Sequence, residues 1–188
     1  MKGGIKRAVF EFASIVVAVV LAMGLTEWRQ DVLNRQQAER SYQSILEEVR
    51  INHDYLKPDS ALMAGLVRRI DDWLASDETS RDTISSFEYE LNLLNQSAWE
   101  VAKLNGSMTY IDNQRLQELS VVHEFQEFYV ISGREVFDEL TSLMKMDKES
   151  KAYEGGMRAF RLKVGLTYNA LLGYLESSAT ILDRTAEE

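Results

Sequence analysis

The chain has 188 residues, with no cysteine, one proline and ten glycines; 45% of residues are hydrophobic and 27% charged. Such a composition belongs to a folded chain with one real core and few helix breakers, and it excludes disulfides and thiol chemistry. The formal charge of -9 argues against nucleic acid as a partner, because phosphate binding needs a basic footprint.

Ala8 to Leu25 is a run of 18 residues with one charge, Glu11. As a helix it is roughly 27 Å long, close to the hydrocarbon thickness of a bilayer. We read residues 8–25 as an uncleaved transmembrane helix, residues 1–7 as a short cytoplasmic N-terminus and residues 26–188 as a helical-bundle domain. A signal peptide competes with this reading, since Ala22-Met23-Gly24 has the small-x-small form of a cleavage site. Against it, the apolar run exceeds a usual h-region and the helical pattern continues through the supposed cut. A buried soluble helix is the third reading, but residues 15–25 offer no polar face.

The flanks give orientation. Lys2, Lys6 and Arg7 cluster tightly before the span, whereas Arg29, Arg35 and Arg40 beyond it alternate with Glu27, Asp31 and Glu39. The basic counts tie at three each, so the bias rests on clustering alone. It favours a cytoplasmic N-terminus and, in a bacterium, a periplasmic domain on the inner membrane. The chain beyond Leu25 holds 18 basic and 29 acidic residues, an acidic domain on a basic stem. Arg7, Trp28 and Arg29 are the expected anchors at the membrane interfaces.

Glu11 is the one unusual group in the span. It lies about one turn inside the inner edge, where it can snorkel or pair with Arg7 on the same face. A sharper reading comes from Ser14, Ala18 and Ala22, a small residue at every fourth position on the side that Glu11 shares. Small-xxx-small stripes let helix backbones approach closely. Glu11 would then face another helix, where it could hydrogen-bond, bind a cation or carry a proton.

The helical pattern continues past the membrane. A seam at alternating three- and four-residue steps runs Leu25, Trp28, Val32, Arg35, Glu39, Tyr42, Leu46, Val49, His53 and Leu56, polar in the middle. Lys57-Pro58-Asp59-Ser60 is expected to end it, with Asp or Ser capping the next helix over about 60–75. "SDETSRDTISS" is a polar connection, and "FEYELNLLNQ" is ambiguous, with a short helix against the bundle as one option. "AWEVAKLN" is a further helix starting near Ser97 and stopping at Gly106. Asp112 caps a long helix over about 113–146. "DKESKAYEGG" breaks it, with Gly155-Gly156 as a hinge, before a last amphipathic helix over about 157–182. No run alternates as a strand, so the expected fold is all-α. The transmembrane helix continues into a long helix that packs in an extracytoplasmic bundle.

"EFASIVVAVVLAMGLTEWRQ", the helix that follows it to "SILEEVRINHDYL", and "SAWEVAKLNGSMTYID" together resemble an uncharacterised family of small bacterial membrane proteins. Its members begin with a span carrying an early glutamate, then a tryptophan-arginine pair and a long helix with acid and asparagine near its end. The likeness covers most of the chain to about Val130; Thr26 stands where the pattern has asparagine. The resemblance implies single-pass topology and a helical domain, and no activity.

The search for chemistry yields no catalytic, metal or cofactor residues. His53 and His123 lie on different helices, and neither has a carboxylate three residues before it, so paired di-iron ligation is absent. His123 with Glu127, and the adjacent acids Glu47-Glu48 and Asp71-Asp72, read as solvated groups. No phosphate loop, nucleophile elbow or dinucleotide fingerprint occurs. Among the aromatics, which at helical spacing are mostly core, Trp99 is the one that could line a pocket.

The expected function is therefore a non-enzymatic, membrane-anchored interaction or scaffold protein, self-associating or serving as an accessory subunit of a bacterial envelope complex. Its expected partners are the lipid bilayer and its own copies, another membrane protein, or both. Two alternatives stay open: an ion-coupled transducing subunit using Glu11, and a periplasmic helical bundle that senses a small ligand.

Overall fold

A computed structural model describes residues 2–76, 89–90, 92–148 and 150–187, with side chains described from Phe10 to Ala186. The described residues form helices α1 (Lys2–Leu56), α2 (Asp59–Ala75), α3 (Ser97–Leu104), α4 (Asn113–Met144) and α5 (Lys151–Glu187). A 3-10 turn spans Ser107–Tyr110, and no strand occurs among the described residues.

α1 runs for 55 residues without a break. It has two zones. From Phe10 to Gln30 every side chain is exposed, and this stretch is long and apolar enough to cross a membrane. Packing starts at Ala38 and continues through Tyr42, Ile45, Leu46, Val49, Asn52 and Leu56, all buried at helical spacing. The seam expected from Leu25 is thus buried within the chain only in its upper part: Leu25, Trp28 and Val32 are exposed. Arg35 and Glu39 fall beside the buried face, where they pair with Asp31 at 3.0 Å and Arg115 at 3.3 Å.

Pro58 breaks the helix but does not reverse the chain. It keeps helical angles, φ -63° and ψ -31°, and no side chain caps α2, so the expected Asp or Ser cap is absent. Proline is tolerated there because the first turn of a helix needs no N–H from it. Tyr174 of α5 donates to the carbonyl of Val49 at 3.2 Å. Closer to the start of α5, Arg161 pairs with Asp71 at 2.6 Å and Tyr153 meets Trp73 edge-on at 5.6 Å. α1 and then α2 therefore run along α5 in succession, antiparallel to it. α4 packs on α5 as the third member of a bundle whose core holds Leu119, Val136, Phe160, Val164 and Leu171.

The connections follow local chemistry. Asp112 caps α4 as expected, accepting from the amides of Gln114 at 2.9 Å and Arg115 at 3.3 Å. Gly106 ends α3 with φ 73°, a conformation that favours glycine. The hinge expected at Gly155-Gly156 is corrected, because both residues lie inside α5. A Cβ at Gly156 would lie 2.6 Å from Leu143 Cδ2, so this glycine marks a close approach to α4. Within "FEYELNLLNQ", the described residues Tyr89, Glu90 and Asn92–Gln96 form no regular element. Phe87, Glu88 and Leu91 lie outside the described residues, as does nearly all of "SDETSRDTISS".

The two zones of α1 predict opposite responses to one kind of truncation. Ile45→Ala opens a cavity in the core and should cost about 2–5 kcal/mol. Ile15→Ala should leave the domain's denaturation midpoint unchanged. Denaturant titration of the full chain in detergent, followed by tryptophan fluorescence, checks both.

Candidate functional site

The polar residues of the upper part of α1 hold one strap of backbone. Asn52 is buried, and its amide donates to the Asn95 carbonyl at 2.8 Å while its oxygen accepts from the Asn95 amide at 3.1 Å. This reproduces the two-way pairing that a neighbouring strand would give. Gln126 of α4 donates to the same carbonyl at 2.9 Å. One turn earlier on α1, the buried carboxylate of Glu48 accepts from Ala98 N at 2.8 Å and from Trp99 N and Ser97 Oγ at 3.4 Å each. Glu48 therefore caps α3 from another helix, its charge lying where orphan amides and the helix dipole favour an anion. One turn after Asn52, Tyr55 donates to Asn92, whose amide donates to Asp59.

This corrects the reading of Glu47-Glu48 as a solvated pair. Glu47 is exposed and bonded to Arg50, which holds its carboxyl below the usual range, but a turn of about 100° carries Glu48 into the domain. His123 is corrected in the same way. It is only 7% exposed and stacks on Trp99, with ring centroids 4.0 Å apart and planes 17° apart, while Glu127 faces solvent. Burial pushes the His123 pKa down to about 4, with Glu100 raising it and Lys103 lowering it further. Its Nε2 has no partner among the described residues. His53 bonds Ser178 at 2.8 Å. Among the described residues no three His, Asp or Glu converge as a metal site.

The residues singled out in the span do not meet the bundle. Glu11, Ser14, Ala18 and Ala22 are exposed on α1, and the Ser14 hydroxyl donates to the Glu11 carbonyl at 2.8 Å. Trp28 and Arg29 are exposed beyond them. The Arg7 side chain lies outside the described residues. Trp99, expected as a pocket residue, is half-buried under its stack with His123.

A different cavity lies beside the strap, where the sequence singled out nothing. It measures about 530 Å³, with Leu62, Met63 and Leu66 of α2 on one side and Tyr89 and Tyr129 on another. Asp59, Glu90, Asn92 and Arg69 supply its polar groups. The only signal available beforehand was the acid and asparagine near the end of the long helix, which the structure shows to be pins for the cavity's wall. Compared with known proteins, the chain matches no family model, no curated protein sequence and no solved structure.

Two predictions follow from the pins. Glu48→Ala leaves the first amides of α3 unsatisfied and should cost about 1–3 kcal/mol in denaturant titration, with tryptophan emission changed at Trp99. Because the folded His123 ring resists protonation, its contribution to stability is complete above pH 6.5 and is lost as the pH falls toward 4. Relative to His123→Phe, the native chain should lose up to about 3 kcal/mol across that window. Equal pH profiles for the two proteins would contradict this.

Proposed function

We propose that this chain is a membrane-anchored, non-enzymatic interaction protein of the bacterial envelope, working as an oligomer or as an accessory subunit of a larger complex. Its N-terminus is cytoplasmic, its span crosses the inner membrane once and its bundle is periplasmic. The observation that carries the reading is the division of α1 into two faces. At about 100° per residue, the buried side marked by Ala38, Ile45, Val49 and Leu56 lies roughly opposite Glu11, Ser14, Ala18 and Ala22. A helix docked on the small-residue stripe would therefore leave the bundle untouched. Two copies could stand back to back with their bundles outward.

The same outer face continues above the membrane as Gln36, Arg40, Gln43, Glu47 and Asp54, all exposed. This polar row suits water or a hydrophilic partner surface. The small residues permit close helix approach, and Glu11 shares their side at the cytoplasmic end. The resemblance to an uncharacterised single-pass family supports the topology and brings no activity with it.

Ala18→Leu or Ala22→Leu should shift the gently solubilised assembly to lower mass in native mass measurements, and unchanged mass would remove the stripe from the account. Orientation has its own test, since the chain has no cysteine. Lys145→Cys should react with an impermeant maleimide in cells whose outer membrane alone is opened. Labelling only after full lysis would reverse the topology.

A further inference from the structure

The cavity beside the strap has the dimensions and chemistry of a ligand site. Its volume of about 530 Å³ falls in the usual range for small-molecule pockets, about 300–1,000 Å³. One wall is apolar and polarisable, built from Leu62, Met63 and Leu66 of α2. The phenols Tyr89 and Tyr129 and the carboxylate of Asp59 gather toward one end. Asp59 is close enough to raise the pKa of both phenols, adding to the larger effect of burial. Asn92 fixes the Asp59 carboxylate with one hydrogen bond and is itself held by Tyr55. The Tyr89 hydroxyl, shut off from water, has no partner among the described residues. Glu90 adds a second carboxylate.

Arg69 also lines the cavity, but its backbone lies ten residues beyond Asp59 on the same helix, about 15 Å by helical rise. The Asp59 end is therefore electron-rich: the Asp59 carboxylate beside the Tyr89 ring and the edge of the buried Tyr129, with the Met63 thioether one turn along α2. Aromatic faces and carboxylates together recognise an ammonium group, and the apolar wall accepts the body attached to it.

We propose that this cavity binds a small organic cation, an ammonium head with an apolar body, with the head against the Asp59 carboxylate and the Tyr89 ring. The proposal goes beyond the anchoring role and stands on the domain alone.

The test uses the full chain in detergent with benzyltrimethylammonium as probe and benzoate as its anionic counterpart, read by isothermal titration and thermal shift. Saturable one-site binding of the cation, with a raised melting temperature and no response to benzoate, is expected. Leu62→Arg, at an exposed position on the cavity rim, sets a like charge at the mouth and should weaken binding at least tenfold without lowering the melting temperature of the free protein. Asp59→Asn should weaken it similarly, and Arg69→Gln should leave it unchanged or tighter. Absence of saturable binding would overturn the proposal. So would cation binding that survives both Leu62→Arg and Asp59→Asn, which is nonspecific attraction to an acidic chain, or preferential binding of benzoate.

Discussion

The structure depends on one uninterrupted helix. A span of lipid-facing residues needs its backbone hydrogen bonds closed within the segment, and a helix is the single-pass solution. α1, whose apolar stretch is long enough for such a span, runs straight into the domain, where its later turns become the core. The first bundle contact, Asn34 to the Tyr110 hydroxyl at 2.9 Å, comes nine residues after Leu25. That is about 14 Å of helical rise, so in the anchored reading the bundle stands just above the headgroups. A rotation of the span then becomes a rotation of the core, with no linker between them to absorb it.

The polar residues of α1 complete the domain. Glu48, Asn52 and Tyr55 rise on one edge of the helix and hold, in turn, the N-terminus of α3, the Asn95 peptide and Asn92. Glu48 and Asn52 are buried and Tyr55 is exposed; the two buried groups are satisfied by backbone partners, the condition under which polar atoms inside a protein are tolerated. The strap they hold forms a wall of the cavity. The cavity's shape thus rests on the same helix that carries the long apolar N-terminal stretch.

Much of this architecture was legible in the sequence. The helical spacing of Leu116, Leu119, Val122, Phe125, Tyr129, Val136, Leu140 and Leu143 marks α4, and Asp112 and Gly106 mark its surroundings through local rules of capping and left-handed backbone. What was not legible depends on tertiary contact. Two acids in sequence look alike, and only the neighbouring helix decides that Glu48 caps and Glu47 is solvated. Gly155-Gly156 has the composition of a hinge, but close packing of Gly156 on Leu143 keeps the pair helical. Pro58 marks the break between α1 and α2, while the course of both helices along α5 depends on contacts distant in sequence, Tyr174 with Val49 and Arg161 with Asp71. The cavity was invisible because Asp59, Tyr89 and Tyr129 are far apart in sequence and individually ordinary.

The continuity of α1 is tested most directly by a distance across it. Spin labels at Ser14→Cys and Gln43→Cys, diluted with unlabelled protein in nanodiscs, report the separation by pulsed dipolar spectroscopy. A rigid helix over those 29 steps predicts one narrow distribution centred at about 43 Å. A broad distribution, or one well below that distance, would mean a joint between span and bundle and would contradict the account.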